Sequence, residues 1–451
     1  MMKKTIAVLL CAVFVFTLTA CGMKEETKPG NQPAKTGSVY FLNFKPEVAD
    51  IYKEIAQKYK EETGVDVKVV TAASNTYETT LKSEIAKKEA PTIFQINGPV
   101  GYKSWANYCL DLSDTKLYSY LTDKDLAVKN SDGVFGIPYV VEGYGIIYNN
   151  AIMEKYFALK DKAVSISKAD DIRSFETLNA VVTDMTKHKK ELGIDGVFAS
   201  TSMGSGEQWR WTTHLANVPV YYEMKENSED SAIVSTLNAK EIDFSYSEHF
   251  RKVFDMYLNN STTEKGLLSG KTVDNAMAEF ALGKAAMVQN GNWAWEQISN
   301  VKGNVVKADD IKYLPIYMGI KGEDKQGLCI GTENYLAINK NATEADRKAS
   351  IAFLEWLFSS ETGKDYVANK LNFIAPFNTF KDDEKPDDPL AKEIFRWMEK
   401  DVNNLEWAFN SFPSQQFKED FGSAMLEYVQ GKKDWKHVES TFKNSWKSER
   451  K

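Results

Sequence analysis

The stretch SVYFLNFKPEVADIYKEIAQKYKEETGVDVKVV (38–70) changes its hydrophobic period twice, and that change decides the fold class. Ser38–Leu42 is a short apolar run, broken by the Asn43–Glu47 segment with its Pro46. From Val48 the apolar residues Val48, Ile51, Tyr52, Ile55 and Tyr59 recur at helical spacing. Gly64 stands where a helix ends in a left-handed residue. Val65–Val70 then alternates at period two. Strand, helix and strand of these lengths make a parallel crossover unit, so the expected class is α/β, with helices on the faces of a parallel sheet. In open sheets of this kind ligands gather at the carboxyl ends of the strands. The Asn43–Glu47 loop lies at such an end.

The same reading extends along the chain. Thr92–Ile96 is a strand ending at Asn97 and Gly98, after a helix over Leu81–Lys88. An extended stretch runs from Val134 to Asn149. Helices are expected over Phe175–His188, Phe250–Leu258, Ala276–Leu282 and Arg347–Phe358, with strands over Lys284–Val288 and Tyr335–Ile338. From Leu390 on the pattern is mostly helical.

The N-terminus carries an address. Lys3 and Lys4 precede an apolar run from Ile6 to Phe16, too short to span a bilayer and typical of a signal-peptide core. Leu18-Thr19-Ala20-Cys21-Gly22 looks like a bacterial lipobox, in which Cys21 is acylated and residues 1–20 are removed. Multiple acyl chains on one residue suffice for stable anchoring. Residues 21–37 hold almost no apolar side chains and read as a flexible tether. The expected location is the extracytoplasmic face of the bacterial cell membrane, held by lipid.

Composition narrows the function classes. A chain of 451 residues favours two domains, and its 43% hydrophobic and 26% charged residues are an ordinary globular balance. The net charge of −7, without a basic stripe, argues against nucleic acid. The four histidines are scattered, so no metal site is expected, and no cofactor motif is present. With Cys11 in the leader and Cys21 lipidated, Cys109 and Cys329 remain, either as one disulfide or as two buried thiols. The content of 10 Trp, 21 Tyr and 24 Phe is high, and Trp comes in close pairs, Trp209/Trp211 and Trp293/Trp295. On a strand or loop such a pair points both rings to one side, as a stacking platform requires.

Four stretches carry a family resemblance: DGVFGIPYVVEGYGIIYN (132–149), EQWRWTTHLA (207–216), FALGKAAMVQNGNWAWEQI (280–298) and GTENYLAINKNATEADRKASIAFLEWL (331–357). In this order, after a lipobox, they resemble the extracellular sugar-binding proteins of ABC importers, solute-binding protein family 1, the group that includes maltose-binding protein. The resemblance implies a two-lobed periplasmic-binding-protein-like fold with discontinuous lobes and a ligand cleft between them. Chain order then places lobe one at 38–144 plus 316–372, lobe two at 145–315 plus 373–446, and a basic tail at 447–451. It also implies an oligosaccharide ligand, ABC permease subunits as partners, a monomer, and no catalysis.

Sugars present hydroxyl edges and C–H faces, so their sites combine aromatic planes with planar polar groups. Trp293 aligns with a stacking Trp of maltose-binding proteins, with Trp295 beside it and Asn292 where that group has Pro. Glu207, Trp209 and Trp211 align with its cleft loop, Trp209 replacing a stacking Tyr; Trp211 also suits a core position. Glu142 aligns with a cleft carboxylate, or is a solvated hinge charge. Asn43 and Lys45 lie in the first strand-end loop, where the group's acidic residue is missing. Asn97 stands in place of an Asp. Tyr144, Asn334, Asn378 and Trp407, with Phe412 beyond it, complete the candidates.

Two other readings stay open. One is a solute-binding protein for a peptide, a polyamine or a phosphorylated sugar. The other is a lipoprotein glycoside hydrolase, which needs a flanking carboxylate pair; no such pair stands out in a motif, and no G-x-S-x-G, Walker A or HExxH pattern is present. A sensor lipoprotein would share fold and site with an importer's binding protein.

Overall fold

The computed structural model describes residues 37–72 and 76–450, so the leader, Cys21 and nearly all of the 21–37 tether lie outside the described residues. Among the described residues no helix is long and apolar enough to cross a membrane.

The opening unit forms as its periodicity dictates. Strand β1 (Val39–Asn43) is buried at every position, as a strand covered on both faces must be. The Ala49–Thr63 helix buries Tyr52, Ile55, Ala56 and Tyr59 and stops at Gly64, whose φ of 75° allows its N–H to reach the Lys60 carbonyl. Strand β2 (Val67–Thr71) then pairs in parallel with β1, Val39 opposite Val67.

Strands β3 (Ile93–Asn97), β4 (Val128–Asn130), β5 (Gly133–Pro138) and β11 (Asn334–Ile338) complete the first sheet, in the order β2-β1-β3-β11-β5-β4. β11 enters antiparallel between β3 and β5, with Asn334 opposite Asn97. Side chains alternate between its two faces: Leu336 and Ile338 join a core with Val39, Phe41 and Phe353, while Tyr335 and Ala337 join another with Leu42, Phe94 and Ile96.

The second sheet contains β6 (Glu142–Asn149), β7 (Gly196–Phe198), β8 (Ala285–Gly291), β9 (Ile311–Leu314), β10 (Gln326–Gly331) and β12 (Asn403–Leu405). Its order is β12-β10-β6-β8-β7, with β9 also paired to β6. Two short crossovers join the sheets, Tyr139–Val141 between β5 and β6 and Thr332–Glu333 between β10 and β11.

This ladder moves the expected lobe boundaries. Glu142–Tyr144 pair with β10 in the second sheet, so the first switch comes at 139–141 and not after 144. β10 also belongs to the second sheet, so lobe one resumes at 332–334 and not at 316. Phe373 and Phe377 pack in the first lobe's core, which carries that lobe past 372. The residues expected as a basic tail continue the Trp435–Glu449 helix, and the Arg450 guanidinium donates to the Leu237 and Ser411 carbonyls.

Cys109 and Cys329 are free and buried, one in each lobe's core. Burial pushes both thiols up to about 12, which leaves them protonated and unreactive at neutral pH.

Candidate functional site

The carboxyl ends of β1 and β3 and both crossovers converge where the lobes meet. Asn43 closes β1 and is fully buried. Its amide donates to the Lys45 carbonyl (2.7 Å) and to Thr71 Oγ1 (3.1 Å), while its oxygen accepts from the Lys45 N–H. Asn43 therefore shapes the loop, with both amide hydrogens committed within the protein. The loop aims Lys45 across the interface. Its Nζ lies 2.7 Å from Glu142 Oε1 and 3.6 Å from Glu47 Oε1. It also stands 5.9 Å from the ring centroid of Trp293 on the opposite lobe. Burial opposes the Lys45 charge, yet Glu142 and Glu47 hold the ammonium above its usual range. Burial raises Glu47, offset in part by Lys45. Glu142 is thus a buried ion-pair partner and not a solvated hinge charge.

The second lobe presents rings. Trp209 and Trp293 are half-buried, their centroids 6.2 Å apart. His214 fills the angle behind them, 5.0 Å from Trp209, 5.5 Å from Trp293 and 4.9 Å from Phe409. Burial pushes the imidazole down to about 3, so it is a neutral ring. Trp209 leads into a π-helix, Arg210–Leu215. Such wide turns are rare and recur at functional sites. Arg210 holds this one: its guanidinium, 1% exposed, donates to the Gln289 and Ser200 carbonyls and to Ser202 Oγ. Gln289 donates back to the Arg210 carbonyl at 2.8 Å.

That helix corrects the paired-ring expectation. Trp211 turns inward, 2% exposed, with Nε1 on the Ser202 carbonyl and its ring against Phe254 and Tyr257. Trp293 and Trp295 likewise sit on helical turns, Asn292–Ala294 and Trp295–Ser299, and pack against different cores. Tyr144 and Trp407, each 1% exposed, are core rings 5.5 Å apart, and Phe412 is buried too. Glu207 accepts from the Val273 N–H at 2.8 Å and so caps the Val273–Ala281 helix. Asn292 accepts from the Gly143 N–H at 2.9 Å, tying the turn that follows β8 to β6. Asn378 is exposed on the first lobe, its N–H on the Tyr120 carbonyl.

Asn97 and Asn334 behave differently. They face each other across the β3–β11 ladder, so their side chains share one face. Asn97 Oδ1 and Asn334 Nδ2 are buried and make no hydrogen bond. Thr332 Oγ1, Asn410 Oδ1, His214 Nε2 and Trp407 Nε1 share that state. The Asn410 amide donates to the Thr332 carbonyl, which ties these atoms to the β10–β11 crossover. Buried polar atoms are hydrogen-bonded as a rule, so unmade bonds gathered at one place mark a site that something else completes.

Sequence reasoning missed His214, Phe409, Asn410, Thr332 and the carboxylates Glu296 and Glu333. Their linear signal is proximity to residues already singled out: His214 lies in the 207–216 stretch, Glu296 in 280–298, Thr332 and Glu333 in 331–357, and Phe409 and Asn410 just after Trp407. A surface cavity of about 770 Å³ lies away from all of these, on the second lobe between Phe175, Asn179, His249, Arg251 and Met318. It holds no stacked rings and no crossover.

Comparison with known proteins agrees with this architecture. Among solved structures, a chitin oligosaccharide binding protein superposes with a TM-score of 0.69 at 17% identity, over 92% of this chain and 99% of its own. The solute-binding protein RafE in complex with raffinose gives 0.67 at 20% identity, over 91% and 100%. A sugar transporter protein of Bacillus licheniformis in complex with stachyose gives 0.67 at 16%, over 91% and 99%. These likenesses establish the shared two-lobed fold. Curated protein sequences give no match. The family model described as bacterial extracellular solute-binding protein matches residues 54–393. With three quarters of its length matched, the chain belongs to the bacterial extracellular solute-binding protein family.

Proposed function

We propose that this protein captures an oligosaccharide between its lobes and delivers it to the permease of an ABC importer, working as a monomer anchored by lipid on Cys21. One observation carries the carbohydrate reading: the half-buried rings of Trp209 and Trp293 stand beside a group of buried polar atoms without partners. A sugar supplies both complements, C–H faces for the rings and hydroxyls for the amides. The similar structures of a chitin oligosaccharide binding protein and of raffinose- and stachyose-bound proteins support the same ligand class. A ligand touching both lobes favours the closed form by its differential contacts, which is the form a permease would read.

Intrinsic Trp fluorescence of the body from residue 37, titrated with malto-, xylo-, galacto- and chito-oligosaccharides, tests this. The expected outcome is a saturable change at micromolar ligand, about −8 kcal/mol, with the glycan recovered intact. Silence across the panel overturns the carbohydrate reading. Loss of the protein from the membrane fraction in the unlipidated Cys21→Ala variant is expected; retention there would overturn the anchor.

A further inference from the structure

Trp293 lies as it does because of what is missing beneath it. Strand β8 ends at Gly291, opposite Tyr144 of β6. The Asn292–Ala294 turn then folds back over the strand end, fixed by the Gly143 N–H on Asn292. The fold-back lays the six-membered ring of Trp293 against the bare α-carbon of Gly291. A Cβ at position 291 would stand 2.5 Å from Trp293 Cε3, and closer still to Cζ3 and Cη2, whereas carbon atoms pack at about 3.5–4.0 Å. No residue with a side chain fits under the ring in this position.

The backbone itself does not ask for glycine here. Gly291 has φ −111° and ψ −177°, extended values open to any residue. Gly64, by contrast, needs glycine for its φ of 75°. What glycine supplies at 291 is space, and the three atoms nearest the missing side chain all belong to the Trp293 ring. Other groups frame that ring. Its centroid is 5.5 Å from His214 and 6.2 Å from Trp209, and Lys45 Nζ faces it from the first lobe at 5.9 Å. A methyl at 291 would push the ring away from β8. Because the ring is half-buried, it yields more readily than the β6–β8 ladder.

We propose that Gly291 is a positioning residue: it seats the Trp293 ring and so sets the plane on which a sugar face stacks. This rests on the carbohydrate reading of the cleft. The test combines Gly291→Ala and Trp293→Ala in a double-mutant cycle. Affinity is read by titration with malto-, xylo-, galacto- and chito-oligosaccharides. Ring position is read, without glycan, by fluorine NMR of protein labelled with fluorotryptophan. Gly291→Ala is expected to weaken binding of the panel's best glycan about tenfold, equivalent to ~1.4 kcal/mol. In the Trp293→Ala background the same methyl should change affinity less than about twofold, since residues acting through one contact are non-additive. The fluorine resonance that vanishes in Trp293→Phe should shift in Gly291→Ala, while those of Trp435 and Trp446, in the second lobe's core, stay in place. A loss of affinity that persists in full without the Trp293 ring, or an unshifted Trp293 resonance, overturns the positioning role. So does a lowered unfolding midpoint in Gly291→Ala that Trp293→Ala does not restore, because Gly291 would then serve the strand's own packing. If no glycan of the panel binds the unaltered protein, the carbohydrate reading falls, and the resonance alone decides whether Gly291 seats the ring.

Discussion

The two lobes meet the cleft with opposite chemistry. The first contributes polar groups from strand ends, Lys45, Glu47 and Asn97, and no indole. The second contributes the ring wall of Trp209, His214 and Trp293. Lys45 reaches from one to the other, 2.7 Å from Glu142 and 5.9 Å from the Trp293 ring. A ligand with both a polar edge and an apolar face must therefore touch both lobes to satisfy either, and that couples binding to closure.

Breaking the polar side should have the largest effect, and it should appear as stability. Lys45 and Glu142 have side chains only 7% and 4% exposed. Lys45→Ala strands a buried carboxylate, which costs about 3–5 kcal/mol, read as a lower urea midpoint. The pair Lys45→Met with Glu142→Gln should recover most of that loss; failure to recover would mean the pair is not what holds the loop. Breaking the ring side should instead appear as affinity. Trp293→Ala is expected to weaken glycan binding by about 1–3 kcal/mol, the scale of one stacked aromatic, with the unfolding curve little changed. An unchanged dissociation constant would remove Trp293 from the site. The smallest effect separates wall from scaffold. Glu207 caps the Val273–Ala281 helix, so Glu207→Ala should lower stability by ~1 kcal/mol and leave glycan affinity as it was.

What the sequence revealed follows the same division between local and distant causes. The β1–helix–β2 unit was legible because its periods and Gly64 act within a few residues. The lobe boundary at 316 was misplaced because β10 takes its place from partners far away, Glu142–Tyr144 on one side and Asn403–Leu405 on the other. The Trp209/Trp211 pair was read as one platform because nothing local announces a π-helix; Arg210 builds it through contacts to Ser200, Ser202 and Gln289. Asn97 and Asn334 were both candidates, yet only the β3–β11 register makes them neighbours.

The most direct test of capture between the lobes is a crystal structure of the protein saturated with the glycan that the titration selects. The account predicts a sugar ring against Trp293 or Trp209, and hydroxyls bonded to Asn97 Oδ1 and Asn334 Nδ2. A sugar seated in the groove beside Phe175 and His249, with those two amides still unpartnered, would contradict it.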